Sequence, residues 1–220
     1  MRMRPWFITA NLALLLLLAR GAQAQDAVKF SASPTGSMVK IEGTSTIHDW
    51  SMETKIVPGS LELDPKIQLD ATKATVSGLE GNKVPIKAKI SIPVRSLKSY
   101  TTAMDNVYQD AMEEKTYPKI EFFLTELTVK EGEHKAGTPF EFNSTGDLVV
   151  HGVTNKIAMP VTIEALETNK LKIKGSVPMK MTSFNVKPPA PKIALGMIKT
   201  GDDIKVSFEW VVVKKAEAAK

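Results

Sequence analysis

Apolar and polar residues alternate along most of this chain, and a period of two is the signature of β-strands with one dry and one wet face. Val84, Ile86, Ala88, Ile90, Ile92 and Val94 alternate with Pro85, Lys87, Lys89, Ser91 and Pro93. Ile157, Met159, Val161, Ile163 and Ala165 repeat the pattern. So do Leu171, Ile173, Gly175, Val177 and Met179, set against Lys172, Lys174, Ser176 and Lys180. Ile204, Val206, Phe208, Trp210 and Val212 form a further stripe, although Val211 and Val213 interrupt its polar face. From Thr46 to Ile56, His48, Trp50, Met52 and Ile56 share one face and Asp49, Ser51, Glu53 and Lys55 the other. Shorter strands are expected near Val28–Ala32, Ser37–Glu42, Ser60–Leu63, Thr72–Ser77, Lys119–Val129 and Phe140–Val150.

Turn chemistry separates these segments at Pro34-Thr35-Gly36, Pro58-Gly59, Gly81-Asn82, Glu131-Gly132, Gly152 and Gly201-Asp202. Many one-sided strands joined by short turns predict an antiparallel all-β fold. The pattern suits a closed barrel and a sandwich equally, and by itself does not choose between them.

One segment breaks the rule. Tyr100, Met104, Val107, Tyr108, Ala111 and Met112 recur at steps of three and four, which is helix spacing. Asp105, Asn106, Gln109, Asp110, Glu113 and Glu114 fill the opposite face. The spacing predicts a helix over 100–114, ended by Tyr117-Pro118, because a residue before proline avoids the α region. Its apolar stripe needs cover, and the end or mouth of a barrel would supply it. Lys187-Pro188-Pro189-Ala190-Pro191 reads as a stiff extended loop leading into an apolar piece, 192–199. Residues 214–220 read as a mobile tail.

The first 24 residues carry a different message. Arg2 and Arg4 precede an apolar run containing Leu14 to Leu18, and Ala22-Gln23-Ala24 offers a small-residue cleavage site. This is the pattern of a cleaved secretory signal peptide, with an apolar run short of the roughly 20 residues a membrane span needs. The remaining 196 residues suit one domain with a sizeable core. The chain has 29 basic and 24 acidic side chains; removing Arg2, Arg4 and Arg20 with the leader leaves an excess of two. The lysines are scattered, so no basic stripe points to nucleic acid. There is no cysteine, which excludes disulfides, thiolate metal sites and thiol chemistry.

Catalytic constellations are scarce. The histidines are His48, His134 and His151, and no zincin, nucleophile-elbow or phosphate-loop motif occurs. In an extended strand His48 and Asp49 point to opposite faces, so they do not converge on one substrate. His48 shares its face with Trp50, Met52 and Ile56 and reads first as a hydrogen-bonded core group, second as a polar anchor in a ligand cavity. His134 falls in a polar loop; His151-Gly152 reads as a tight junction between strands. Eight methionines lie outside the leader. They serve equally as gap-filling core or as a pliable lining for a chain-like ligand.

Five motifs resemble one family. They are Gly43-Thr44-Ser45-Thr46-Ile47-His48-Asp49-Trp50, Ile92-Pro93-Val94-Arg95-Ser96-Leu97, Met104-Asp105-Asn106, Tyr117-Pro118-Lys119-Ile120-Glu121-Phe122, and residues 146–154 from Gly146-Asp147 to Val153-Thr154. Their order is similar to that of the YceI-like bacterial periplasmic proteins over most of residues 28–213. Residues 187–191 and 130–138 look like local elaborations. The resemblance implies a lipocalin-type extended antiparallel β-barrel of about eight strands with one short inserted helix, spanning 25–213. It implies binding of a polyisoprenoid or similar long-chain amphiphile, and no established catalysis.

The expectation is therefore a periplasmic carrier for a polyisoprenoid, quinone or fatty-acid-like lipid, working without cofactor, metal or nucleic acid, and compatible with transient membrane contact. The alternative is a stress-related interaction module whose barrel is filled by its own side chains. The expected lining is Trp50, Met52, Ile90, Ile92, Phe122, Ile163 and Phe208, with His48 as polar anchor. Met104, Val107, Tyr108, Ala111 and Met112 of the helix are expected to face inward at the entrance.

Overall fold

The computed structural model describes residues 26–73, 75–131, 135–167, 169–190 and 198–216. The expected leader, His134, most of the apolar piece 192–199 and the last four residues of the expected tail lie outside the described residues.

Twelve strands are present among the described residues: β1 (Val28–Ala32), β2 (Met38–Ser45), β3 (Asp49–Thr54), β4 (Gly59–Leu63), β5 (Gln68–Asp70), β6 (Thr75–Ser77), β7 (Ile86–Pro93), β8 (Lys119–Val129), β9 (Phe140–Val150), β10 (Val153–Glu167), β11 (Lys170–Lys180) and β12 (Thr200–Lys214). The helix α1 spans Thr102–Ala111. Eight strands follow one another around a ring, β1-β4-β7-β8-β9-β10-β11-β12, every neighbour antiparallel. The ring closes where β1 meets the end of β12, Phe30 opposite Lys214 and Ala32 opposite Val212. The all-β antiparallel barrel is thus chosen over the sandwich.

Two further strands prolong one side of this ring. At 15 residues, β12 is long enough to pair with β1 near its end and with β2 along its first half, where Phe208 faces Val39. Between β1 and β2 the chain leaves the ladder at Pro34-Thr35-Gly36, with Gly36 at φ 86°. The Val211 N–H stranded by this detour donates to the Ser37 hydroxyl at 3.0 Å. A buried amide thus keeps a partner through the break. β3 pairs with β2, and on its other edge Glu53 exchanges backbone hydrogen bonds with Lys98.

The core has two parts. The larger packs Phe30, Leu61, Leu127, Phe142, Trp210 and Val212, and the β5–β6 hairpin lays Leu69 and Val76 against it. Trp210 is only 2% exposed, and its indole N–H donates to the Val57 carbonyl at 3.1 Å. The smaller part gathers Val94, Met112, Phe184 and Val186 under α1. The bulge in β12 between Thr200 and Ile204 frees the Asp202 carboxylate to accept from the Thr182 N–H and hydroxyl, which holds the 3-10 segment Met181–Phe184 in place.

Several expectations are corrected. The strand expected from Thr46 to Ile56 begins only at Asp49 and ends at Thr54; His48 lies in the preceding turn and Ile56 is exposed. Alternation simply continued by chance through the turn. Gly201-Asp202 is a bulge inside β12 and not a break. Residues 71–73 form a turn ahead of β6. Tyr100 is 92% exposed and precedes the helix, while Asp105, expected on its wet face, is buried.

Leu61 packs in the larger core at 2% exposure. Leu61→Ala should lower the unfolding free energy by about 2–5 kcal/mol, as buried leucine truncations do, read from the midpoint of urea denaturation at unchanged slope.

Candidate functional site

The inward stripes do not meet at the barrel axis. They enclose a cavity of about 1090 Å³ whose wall is almost wholly side chains of apolar type. Eight-stranded barrels are either filled by their own side chains or hold one small ligand, and this one is not filled.

Glycines explain part of the space. Trp50 lies flat over Gly43, its neighbour across the β2–β3 pair, and its indole N–H donates to the Thr44 carbonyl at 3.0 Å. Phe122 covers Gly146, and Phe208 covers Gly175 directly opposite it. Each ring rests against the wall where a side chain would otherwise stand. Deeper in, Ile163, Ile173, Leu61 and Trp210 continue the lining. Ser144 is buried in this wall, and its hydroxyl donates to the Met159 carbonyl at 2.9 Å, so it presents little free polarity to the lumen.

The exposed members of the lining gather at one end. Thr44, Ile47, His48 and Asp49 come from the β2–β3 turn, Tyr100, Thr101 and Ala103 from the approach to α1, and Thr200 and Pro189 stand beside them. This rim is the mouth. His48 sits on it, with Nδ1 2.7 Å from the Asp49 carbonyl. It is an exposed rim residue and not the core histidine expected.

The helix is fixed beside the mouth by polar contacts at both ends. The Thr101 hydroxyl caps it, accepting from the Met104 N–H at 3.3 Å. Asp105 accepts from the Ser99 N–H at 2.7 Å and the Ser99 hydroxyl at 2.8 Å, and pairs with Lys98 at 3.3 Å. Burial pushes the Asp105 carboxyl up, but the Ser99 and Lys98 contacts outweigh it and hold the group below its ordinary value. Beyond the other end, Arg95 pairs with Glu114 at 2.9 Å. His151 and Gly152, both at positive φ, form the two-residue turn between β9 and β10. The His151 ring leans on Tyr117 at 4.6 Å, with Nε2 3.4 Å from the Glu113 carboxylate. Among the described residues the buried Tyr108 hydroxyl has no hydrogen-bond partner, and burial pushes its pKa up.

All thirteen residues expected in the lining or at the entrance line this one cavity. Met52, Ile92, Met112 and Ile163 are buried, Trp50, Ile90, Met104, Tyr108, Phe122 and Phe208 half-buried, and His48 exposed. Met112 doubles as a member of the smaller core. Sequence reasoning missed Val39, Ile41, Leu148 and Val206, which also face the lumen. The alternation signal could have found them. It also missed the glycine seats, because a glycine at an inward position has no polarity to read. Among the described residues no cluster of three acidic or histidine side chains could hold a metal ion, and no helix is long and apolar enough to cross a membrane.

The YceI-like domain family model matches residues 23–212. The fold is similar to that of BcnA from Burkholderia cenocepacia, with a TM-score of 0.60 at 20% identity over 82% of this chain and 98% of that one. It is similar, too, to a polyisoprenoid binding domain from Saccharophagus degradans implicated in plant cell wall breakdown. There the TM-score is 0.59 at 13% identity, over 86% of this chain and 99% of that one. At such identities the likeness is one of fold. No curated protein matches the sequence.

Asp105 supplies a pH dependence. A carboxyl whose folded pKa is depressed contributes stability that is complete above its unfolded value, about 3.9, and is lost as pH falls through the folded value. The protection factors of residues 102–111, taken relative to the intrinsic exchange rate at each pH, should therefore fall below about pH 4. Asp105→Asn should be less protected at neutral pH and lose that acid-dependent fall.

Proposed function

The chain belongs to the YceI-like domain family, and on that premise we propose that it is a periplasmic binding or carrier protein for a long-chain amphiphile such as a polyisoprenoid, quinone or fatty-acid-like lipid. The observation that carries this reading is the continuous apolar lumen of about 1090 Å³ open at one end. Ligand pockets typically measure about 300–1,000 Å³. A barrel filled by its own side chains would leave only water-sized voids, so the interaction-module alternative draws no support from the interior. Burying an alkyl chain gains roughly 0.8 kcal/mol per CH₂. A lumen with few polar groups can therefore bind a chain tightly, with the polar head left at the rim among His48, Ser45 and Thr101.

The work is binding and not catalysis. At the rim the Ser45 hydroxyl donates to the His48 carbonyl and not to its ring, and among the described residues no three acidic or histidine side chains cluster. Export rests on the leader pattern, which supplies the compartment where such a carrier would meet lipid. The likeness to a polyisoprenoid binding domain supports the ligand class.

Protein purified from its own host should release lipid on solvent extraction and show the matching mass by native mass spectrometry. Absence of lipid, together with no saturable uptake of added isoprenoid, would sink the reading. Met104 lines the lumen on α1 and is half-buried. Met104→Asp should weaken lipid uptake at least about tenfold, near 1.4 kcal/mol, while shifting the melting temperature little. Val212→Asp, at a fully buried core position, should instead unfold the barrel. Met112→Asp should behave as Val212→Asp does, because Met112 is packed in the smaller core.

A further inference from the structure

We propose that Gly175 sets the bore of the lumen, and with it the length of chain the protein accepts, and that Gly43 keeps its entrance clear, by giving the rings of Phe208 and Trp50 a place to lie. This rests on the reading of the cavity as a lipid site. Glycine inside a strand weakens it and commonly marks a close approach. Neither glycine has a backbone conformation reserved for glycine, since neither has positive φ. Alanine would fit the backbone at both positions, so the reason for glycine must lie in the side-chain space.

At Gly175 a Cβ would lie 2.6 Å from Phe208 Cε1, 2.8 Å from its Cζ and 3.1 Å from Val161 Cγ1. Contacts under 3.0 Å are not tolerated, so the ring must move. Only side-chain ends stand in the way, and the free volume beside the ring is the lumen itself. The relief is a swing of Phe208 inward, at the expense of bore and not of fold. Phe208 stands on β12 between Ile204, toward the mouth, and Trp210, in the deep core. An inward ring would therefore divide the lumen, leaving the mouth half open and sealing off the half lined by Ile163 and Ile173.

Gly43 works nearer the rim. The three atoms nearest its would-be Cβ all belong to the Trp50 indole. Displacing that ring breaks the indole hydrogen bond to the Thr44 carbonyl and obstructs entry for chains of every length. Gly146 differs, because a Cβ there also meets the Phe123 carbonyl at 2.7 Å, which is backbone. Its substitution should strain the fold, and it is the contrast.

The test is the binding of a prenyl alcohol series, geraniol, farnesol, geranylgeraniol and solanesol, read by quenching of Trp50 and Trp210. Wild-type affinity should rise along the series. Gly175→Ala should follow it for the short members, then level off, binding the longest at least about tenfold more weakly, with a near-normal melting temperature. Adding Phe208→Leu to Gly175→Ala should restore the long chains. Gly43→Ala should weaken all members alike. A Gly175→Ala profile parallel to wild type would overturn the inference while leaving the lipid reading in place. If wild type binds no member, the lipid reading fails, and a crystal structure of Gly175→Ala judges the bore alone. Phe208 turned into the lumen supports the inference; a shifted strand with the ring still against the wall refutes it.

Discussion

Everything in this structure follows from the closure of one sheet on itself, where Phe30, Ser31 and Ala32 of β1 pair with Lys214, Val213 and Val212 of β12. A closed ring has no free edge, so the backbone of its strands is satisfied around the circumference. It also divides every strand into an inner and an outer face, and the inner face must be apolar. With eight strands in the ring, the inner faces stand just far enough apart for the choice between packing and holding a guest to depend on individual side chains.

The two ends resolve that choice differently. At one end, Trp210, Phe142, Leu61 and the β5–β6 hairpin pack to a solid core. At the other, the ladder is interrupted between β1 and β2, and β3 is held on its outer edge mainly through Lys98. Beside this end lies α1, pinned by Thr101 and Asp105 at its start. A short helix held by a few polar contacts opens at lower free energy than strands locked in a ladder. The mouth is therefore where the ladder gives the fold least support.

The lumen persists because bulky residues are folded away from it. Trp50, Phe122 and Phe208 supply large apolar faces without projecting, since a glycine lies beneath each ring. The wall is thus largely apolar; the buried Ser144 hydroxyl is engaged by the Met159 carbonyl, and the buried Tyr108 hydroxyl has no partner among the described residues. Such a surface offers apolar area and shape but few hydrogen-bonding groups.

Local sequence determined most of the strands and the presence of the helix, but neither β5 nor the bounds of β3 and α1. The bounds of β1, β8 and β9 are legible residue for residue, because alternation and turn residues are set by neighbours in the chain. The inward lining was legible for the same reason: in a strand, parity fixes the face. What tertiary structure decided is everything that depends on partners far away in sequence. Alternation could not place His48 at a rim, because a turn can continue a period of two without being a strand. The helical spacing put Asp105 on the wet face, and only the approach of Ser99 and Lys98 made its burial tolerable. Gly175 counted as one more inward position until β12 brought Phe208 opposite it. Whether the inner faces meet or stand apart was likewise undecided locally, since that distance belongs to the closed ring and to no single strand.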